Sequence, residues 1–382
     1  MLVVNGLVFY EGSFQKKDIR INDGKFVEIS EVGSLVPEAL EEVLNADGKY
    51  ILPGLVDVHS HGRVGEDYSF ATQEGLQKMS DSYASCGVTT IIGTTMTNAP
   101  VAIEKSMECM RTFCSGTYSG AKLLGINMEG PFLGKDKKGA HDEQYLECPN
   151  VAWFDKMQKA SGNKVCIITV DPRLDGTDAF IEKCRKEGVF VSLGHTSCDY
   201  ERAIEASKKG ADHVTHLFNA MNPIHHRKPG LIGAAMDTGM FVELICDGIH
   251  LHPSIIRMMF AMHPDQMLLI SDSMQAAGLP DGEYELGGLP VFVKNGKATQ
   301  EDGTIAGSTT NVFDAMVNVI QFGVPAEQAV NSASYLPAKS VGLEGVTGSI
   351  QAERSADFLV VDKDWKLEQV YIDGILFSEK DA

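Results

Sequence analysis

Eight apolar runs of strand length recur through the middle of this chain, with helix-like stretches between them. The runs cover 51–59, 88–94, 122–128, 165–170, 189–193, 213–216, 241–246 and 267–271. Amphipathic stretches lie between several of them, at 72–86, 101–114, 178–187, 200–209 and 253–262. Gly87, Gly188 and Gly210 fall where such helices would end, as C-terminal capping glycines do. Strands alternating with helices build a parallel sheet, and eight repeats predict an α/β fold of the (β/α)8 TIM-barrel type. A doubly wound open sheet is the alternative. No GxGxxG follows an early strand, so a nucleotide-binding reading has no phosphate loop to stand on.

The two ends of the chain have a different character. Residues 1–50 read as short β segments, with an Asn5-Gly6 turn and an Asp23-Gly24 turn. After a helical stretch near 325–342, residues 357–362 and 370–376 again read as strands. Both ends are expected to share one small β-sandwich domain, 1–50 with 345–382, flanking a barrel over 51–344.

Composition narrows the partners. The chain has 382 residues, 43% apolar and 22% charged, as ordinary globular proteins do. It contains no apolar run long enough for a membrane span and no basic segment leading a signal peptide. Eight cysteines without a CxxC pair suggest reduced thiols in a cytoplasmic protein. A net charge of −19 disfavours nucleic acid and anionic membranes as partners. A small anionic substrate would need basic residues gathered at its site. Two loops gather them: 135–141, with three lysines and His141, and His225-His226-Arg227-Lys228.

A barrel places its chemistry at the C-terminal ends of its strands. Ligand-type residues recur there. His59 and His61 are two apart, so on a strand they project to one face. Glu129 follows the third run, His195 follows the fifth, His216 ends the sixth and Asp272 follows the eighth. Four imidazoles and two carboxylates, without a cysteine cage, suit a catalytic divalent metal such as Zn²⁺, Fe²⁺ or Mn²⁺. A bound metal lowers the pKa of water to about 7. Glu129 could bridge two ions. Asp272 is the natural general base, returning its proton to a leaving amine. The chemistry is metal-assisted hydrolysis, most simply of an amide.

The motifs resemble the amidohydrolase superfamily and, within it, the N-acetylglucosamine-6-phosphate deacetylase family. The resemblance is carried by Pro53-Gly54-Leu55-Val56-Asp57-Val58-His59, Met128-Glu129-Gly130-Pro131-Phe132-Leu133, Lys138-Gly139-Ala140-His141 and Gly194-His195-Thr196. It continues in Thr215-His216-Leu217-Phe218-Asn219-Ala220-Met221, Asp247-Gly248-Ile249-His250 and Ser271-Asp272. The resemblance implies that Glu129, His195 and His216 hold the principal metal and that Asp272 is the acid/base. It implies that His141 contacts substrate near its acetyl group, with a catalytic part, and that Ala140 also binds substrate. Asn219, Ala220, Arg227 and His250 would bind the sugar phosphate, and Ile305, Ala306 and Gly307 would line the sugar pocket. A phosphate carries close to two negative charges, which Arg and His suit.

The family is typically dimeric, so a homodimer is expected, with the Arg227 loop reaching the neighbouring site. Some members lack the His-x-His pair and use one metal. His59 and His61 here predict that a second ion can bind, giving one or two ions per subunit, Zn²⁺ or Fe²⁺. Two other readings remain: a deacetylase for the galactosamine epimer, and a non-catalytic sugar-phosphate binder. His213, His225, His226, His252 and His263 match no motif position and stay outside the metal set.

Overall fold

A computed structural model describes residues 1–377. The eight expected runs form one parallel sheet in sequence order. Its strands are Leu55–Ser60, Val88–Thr95, Lys122–Glu129, Val165–Val170, Phe190–Leu193, His213–Val214, Phe241–Ile245 and Met267–Ile270. Just past the first and last strands the sheet closes. The Asp272 N–H donates to the His59 carbonyl at 2.9 Å, and the His61 N–H donates to the Ser273 carbonyl at 2.8 Å. Sequential order plus closure is a barrel, and an open doubly wound sheet is excluded.

Local chemistry builds the outer ring. In the helix Gln73–Ser85, Leu76, Met79, Ser80 and Tyr83 fall on one face and are buried, the 3.6-residue period of an amphipathic helix. Thr72 caps its start by accepting from the Gly75 N–H. Gly87, Gly188 and Gly210 take positive φ where their helices end, as expected. Barrel strands are covered on both faces, and every residue of Val88–Thr95 is buried.

The chain ends make a second sheet of eight strands, drawn from Leu2–Pro53 and Phe358–Leu376. Three strands separate Phe358–Val361 from Lys25–Glu31 in that sheet. If it were flat, four strand spacings would hold them roughly 19 Å apart. The rings of Phe26 and Phe358 nevertheless lie 6.3 Å apart. The sheet therefore rolls around its own core of Val3, Ile19, Phe26, Ile51 and Phe358. Phe9, Leu52, Leu359 and Val361 face the other way and join the barrel's core.

Three features differ from the sequence reading. Asn5-Gly6 makes no turn: both residues lie inside the strand Leu2–Tyr10, whose register with Ser13–Asn22 shifts between Val3 and Gly6. The run 51–59 is two strands: Tyr50–Pro53 belongs to the rolled sheet and Leu55–Ser60 to the barrel. Gly54 makes the crossing, where its N–H donates to the Asp357 carbonyl at 2.8 Å. A Cβ there would meet Thr89 Oγ1 at 2.1 Å, so only glycine fits. The third feature is a three-stranded antiparallel sheet, Gly282–Leu286, Leu289–Lys294 and Lys297–Thr299, inserted after the last barrel strand. No helix among the described residues is long and apolar enough to cross a membrane.

Candidate active site

The strand ends bring the predicted ligands together. His59 and His61 project to one side, their Nε2 atoms 3.4 Å apart. Glu129, the last residue of its strand, lies between two sets of rings. Its Oε1 is 3.0 Å from His195 Nε2 and 2.9 Å from His216 Nε2. Its Oε2 is 3.1 Å from His61 Nε2 and 3.2 Å from His141 Nε2. Asp272 Oδ1 sits 3.2 Å from His61 Nε2 and 3.6 Å from His59 Nε2. His195, His216 and Asp272 all have positive φ, at 47°, 27° and 47°. Non-glycine residues are uncommon there, and such strain gathers at functional sites.

All of these side chains are buried. Burial works against every charge in the cluster, and the contacts between imidazole and carboxylate outweigh it. Burial would push the Glu129 carboxyl up, yet the His59 and His195 rings hold it well below the usual carboxylate range. Asp272 is lowered in the same way by His61 and His59. Burial would lower His61, but Asp272 and Glu129 raise it to about 9. His141 goes the other way: burial prevails and brings it down to about 4.

The donor set fits divalent metal. Two groups of three donors lie within 4.8 Å of one another, one of His59, His61 and Glu129, the other of Glu129, His141 and His195. Among the described residues, every ion-pair partner of Glu129, Glu243 and Asp272 is a histidine. Buried carboxylates facing imidazoles alone, without Lys or Arg, are a donor set that a divalent cation fits.

The tautomers sort the rings. The His195 Nδ1–H donates to the Lys137 carbonyl at 2.9 Å, which leaves the Nε2 lone pair facing Glu129. His141 is reversed. The Thr97 backbone N–H, which can only donate, points at His141 Nδ1 at 3.3 Å. A neutral ring accepting at Nδ1 carries its proton on Nε2, so His141 presents an N–H to the site. It is therefore a donor, and His216 completes the group around Glu129 and His195.

Above the cluster opens a cavity of about 330 Å³, lined by Ala140, Asn219, Ala220, His250, Ile305 and Gly307 together with Leu286 of the inserted sheet and the metal-site residues other than His59. His250 is held by Asp247, with Nδ1 2.8 Å from a carboxylate oxygen. Two predicted residues lie elsewhere. Ala306 is buried behind the wall, packed with Met96 and Met274. Arg227 sits on the exposed loop after Met221, beside His226 and outside the lining of this cavity.

Residues 50–377 match the Amidohydrolase family. The chain belongs to that family. This amidohydrolase is 35% identical over 371 residues to an N-acetylglucosamine-6-phosphate deacetylase of Bacillus subtilis (strain 168), across 95% of this chain and 93% of the relative. It is 31% identical to an N-acetylgalactosamine-6-phosphate deacetylase of Escherichia coli O157:H7, across 97% of each chain. Its fold superposes on the N-acetyl-D-glucosamine-6-phosphate deacetylase of Mycobacterium smegmatis, a mutant solved with N-acetyl-D-glucosamine-6-phosphate. There the TM-score is 0.92, with 29% identity and 98% of both chains covered.

Two residues of the amidohydrolase site escaped the sequence reading. Thr97 sets the His141 tautomer but stands in no motif. Glu243 accepts from His59 Nδ1–H at 2.8 Å. Its only signal was a carboxylate inside the apolar run Phe241-Val242-Glu243-Leu244-Ile245.

Proposed function

We propose that this chain hydrolyses the acetamide of N-acetylglucosamine 6-phosphate to glucosamine 6-phosphate and acetate. The carrying observation is Glu129 poised between two groups of imidazoles, with Asp272 beside them, at a cavity of about 330 Å³. The names of the relatives, matched over nearly their whole length, supply the substrate. A divalent ion, Zn²⁺ or Fe²⁺ in one or two copies, would supply Lewis acidity toward the amide carbonyl and toward water. His59, His61, Glu129, His195, His216 and Asp272 are the residues that would hold it.

The chain's own groups do the rest. Asp272 takes the proton of the attacking water and returns it to the leaving nitrogen. The His141 Nε2–H donates to the carbonyl oxygen as that atom gains charge, and a ring kept neutral by burial donates without losing its proton. Ala140, Ile305 and Gly307 wall the sugar, with Ala306 packed behind them. Asn219, Ala220 and His250 hold the sugar phosphate from the cavity side. Arg227 adds its charge across a homodimer, which accounts for its place on an exposed loop. The proposal places the protein in the cytoplasm, in keeping with eight free cysteines.

The galactosamine epimer is the second reading, supported by the relative that matches across 97% of both chains. Acetate release is measured with both epimers, on protein of known metal content. Release from the glucose epimer that stops on chelation and returns with Zn²⁺ or Fe²⁺ is the expected result. Preference for the galactose epimer moves the assignment to the second reading. Binding of both without acetate release, by a metal-loaded sample, refutes a deacetylase.

A further inference from the structure

Glu243 is the third residue of the seventh barrel strand and is fully buried. Its Oε2 accepts from His59 Nδ1–H at 2.8 Å and from the His216 backbone N–H at 3.2 Å. Its Oε1 has no partner among the described residues. A buried carboxylate costs several kcal/mol unless its charge is compensated. Two N–H groups on one oxygen are thin compensation. The cost is met when the ring between Glu243 and the cluster carries positive charge, from an ion on its far nitrogen or, without one, from a second proton.

The five rings of the site are not held alike. His195 leans on a carbonyl and His141 on Thr97. The Nδ1 atoms of His61 and His216 have no partner among the described residues. His59 alone leans on a carboxylate. We propose that Glu243 is the positioning residue that makes the His59–His61 half of the site able to hold an ion. The inference rests on the two-ion form of the metal reading above, and not on the choice of sugar. Glu243 itself reaches no donor position, because the His59 ring stands between it and Glu129. It acts by fixing the His59 tautomer, so that the Nε2 lone pair faces the cluster, and by raising that nitrogen's basicity. The same oxygen holds the His216 N–H, where φ is 27°. One atom thus joins the strand ends that carry the two halves of the site.

The test is Glu243→Gln, which keeps the shape and one acceptor and removes the charge. Metal-free protein is titrated with Zn²⁺ against a chromophoric chelator, and bound metal per subunit is counted by elemental mass spectrometry. The expected result is two affinities in the parent, the weaker lowered about 10–100-fold in the variant and the tighter kept. The visible spectrum of the Co²⁺-loaded variant should lose the contribution of that half-site. The metal-free variant should melt no lower than the metal-free parent, since a buried charge has gone. A role in packing alone gives the opposite pattern: lower melting with unchanged affinities, which overturns the proposal. So does a His59→Asn protein whose titration matches the parent's, because Glu243 then has no ligand to act through. The titration contains no sugar, so its failure is distinct from failure of the deacetylase reading.

Discussion

Lys122 ties the barrel to the rolled sheet, and replacing it with methionine tests how. Its Nζ sits 2.9 and 3.1 Å from the two carboxylate oxygens of Asp357 and also meets Asp373. The Asp357 side chain is only 1% exposed. Methionine keeps most of the aliphatic stem and removes the ammonium, leaving Asp357 buried without a counter-charge and holding only the Asp373 backbone N–H. Breaking one side of a buried pair costs about 3–5 kcal/mol. With roughly 2.1 cal/mol/K per residue over 382 residues, the melting entropy is about 0.8 kcal/mol/K, so the loss is about 4–6 °C. The pH dependence carries a sign. Burial already holds the Asp357 carboxyl above its ordinary range, with Lys122 pulling it down. Without Lys122 it rises further. Stability gained from the protonated form is fully present below the unfolded value of about 3.9 and is lost as pH rises through the folded one. The gap between variant and parent should therefore widen from about pH 4 upward. Calorimetry across that range measures it, alongside a Lys122→Met/Asp357→Asn double variant that removes both charges. A double variant as unstable as the single one, or a gap that does not change with pH, refutes the account.

Asp272→Asn should keep its metal and lose about 10²–10⁴ in turnover, the usual range for a general base; near-normal turnover removes Asp272 from the proton path. Glu129→Gln should lose bound metal and activity together, read by metal analysis on the assayed sample, and full occupancy would count against ligation. Gly134→Ala should lower kcat with little change in the metal count. A Cβ there meets Asp171 Oδ2 at 2.3 Å and the His195 carbonyl at 2.9 Å, so the loop that carries His141 must shift. Unchanged kcat would show that the loop has room to give.

The barrel was legible because its strands are covered on both faces, which writes them as continuous apolar runs. The ligands were legible because each stands where such a run stops. Gly54 hid the change of sheet: Ile51–Pro53 and Leu55–Val58 are equally apolar, and only the close approach to Thr89 separates them. Glu243 broke a buried strand without a motif, so its charge was visible but not its partner, which lies 184 positions away. Thr97 meets His141 Nδ1 through its backbone N–H, a group every residue but proline has, and its hydroxyl, 2.9 Å from the same nitrogen, stands in no motif. The inserted sheet did leave a trace, the alternation Glu283-Tyr284-Glu285-Leu286 and the Asn295-Gly296 turn.

His195, His216 and Asp272 hold their backbones in the left-handed region, at roughly 1 kcal/mol of strain each. Glycine at any of the three would relax the chain and silence the site. Heat resistance and turnover thus pull in opposite directions at these positions. A thermal selection applied without an activity screen should fill with well-folded, inactive proteins, and the positions where it does so would map the strand ends that carry the chemistry.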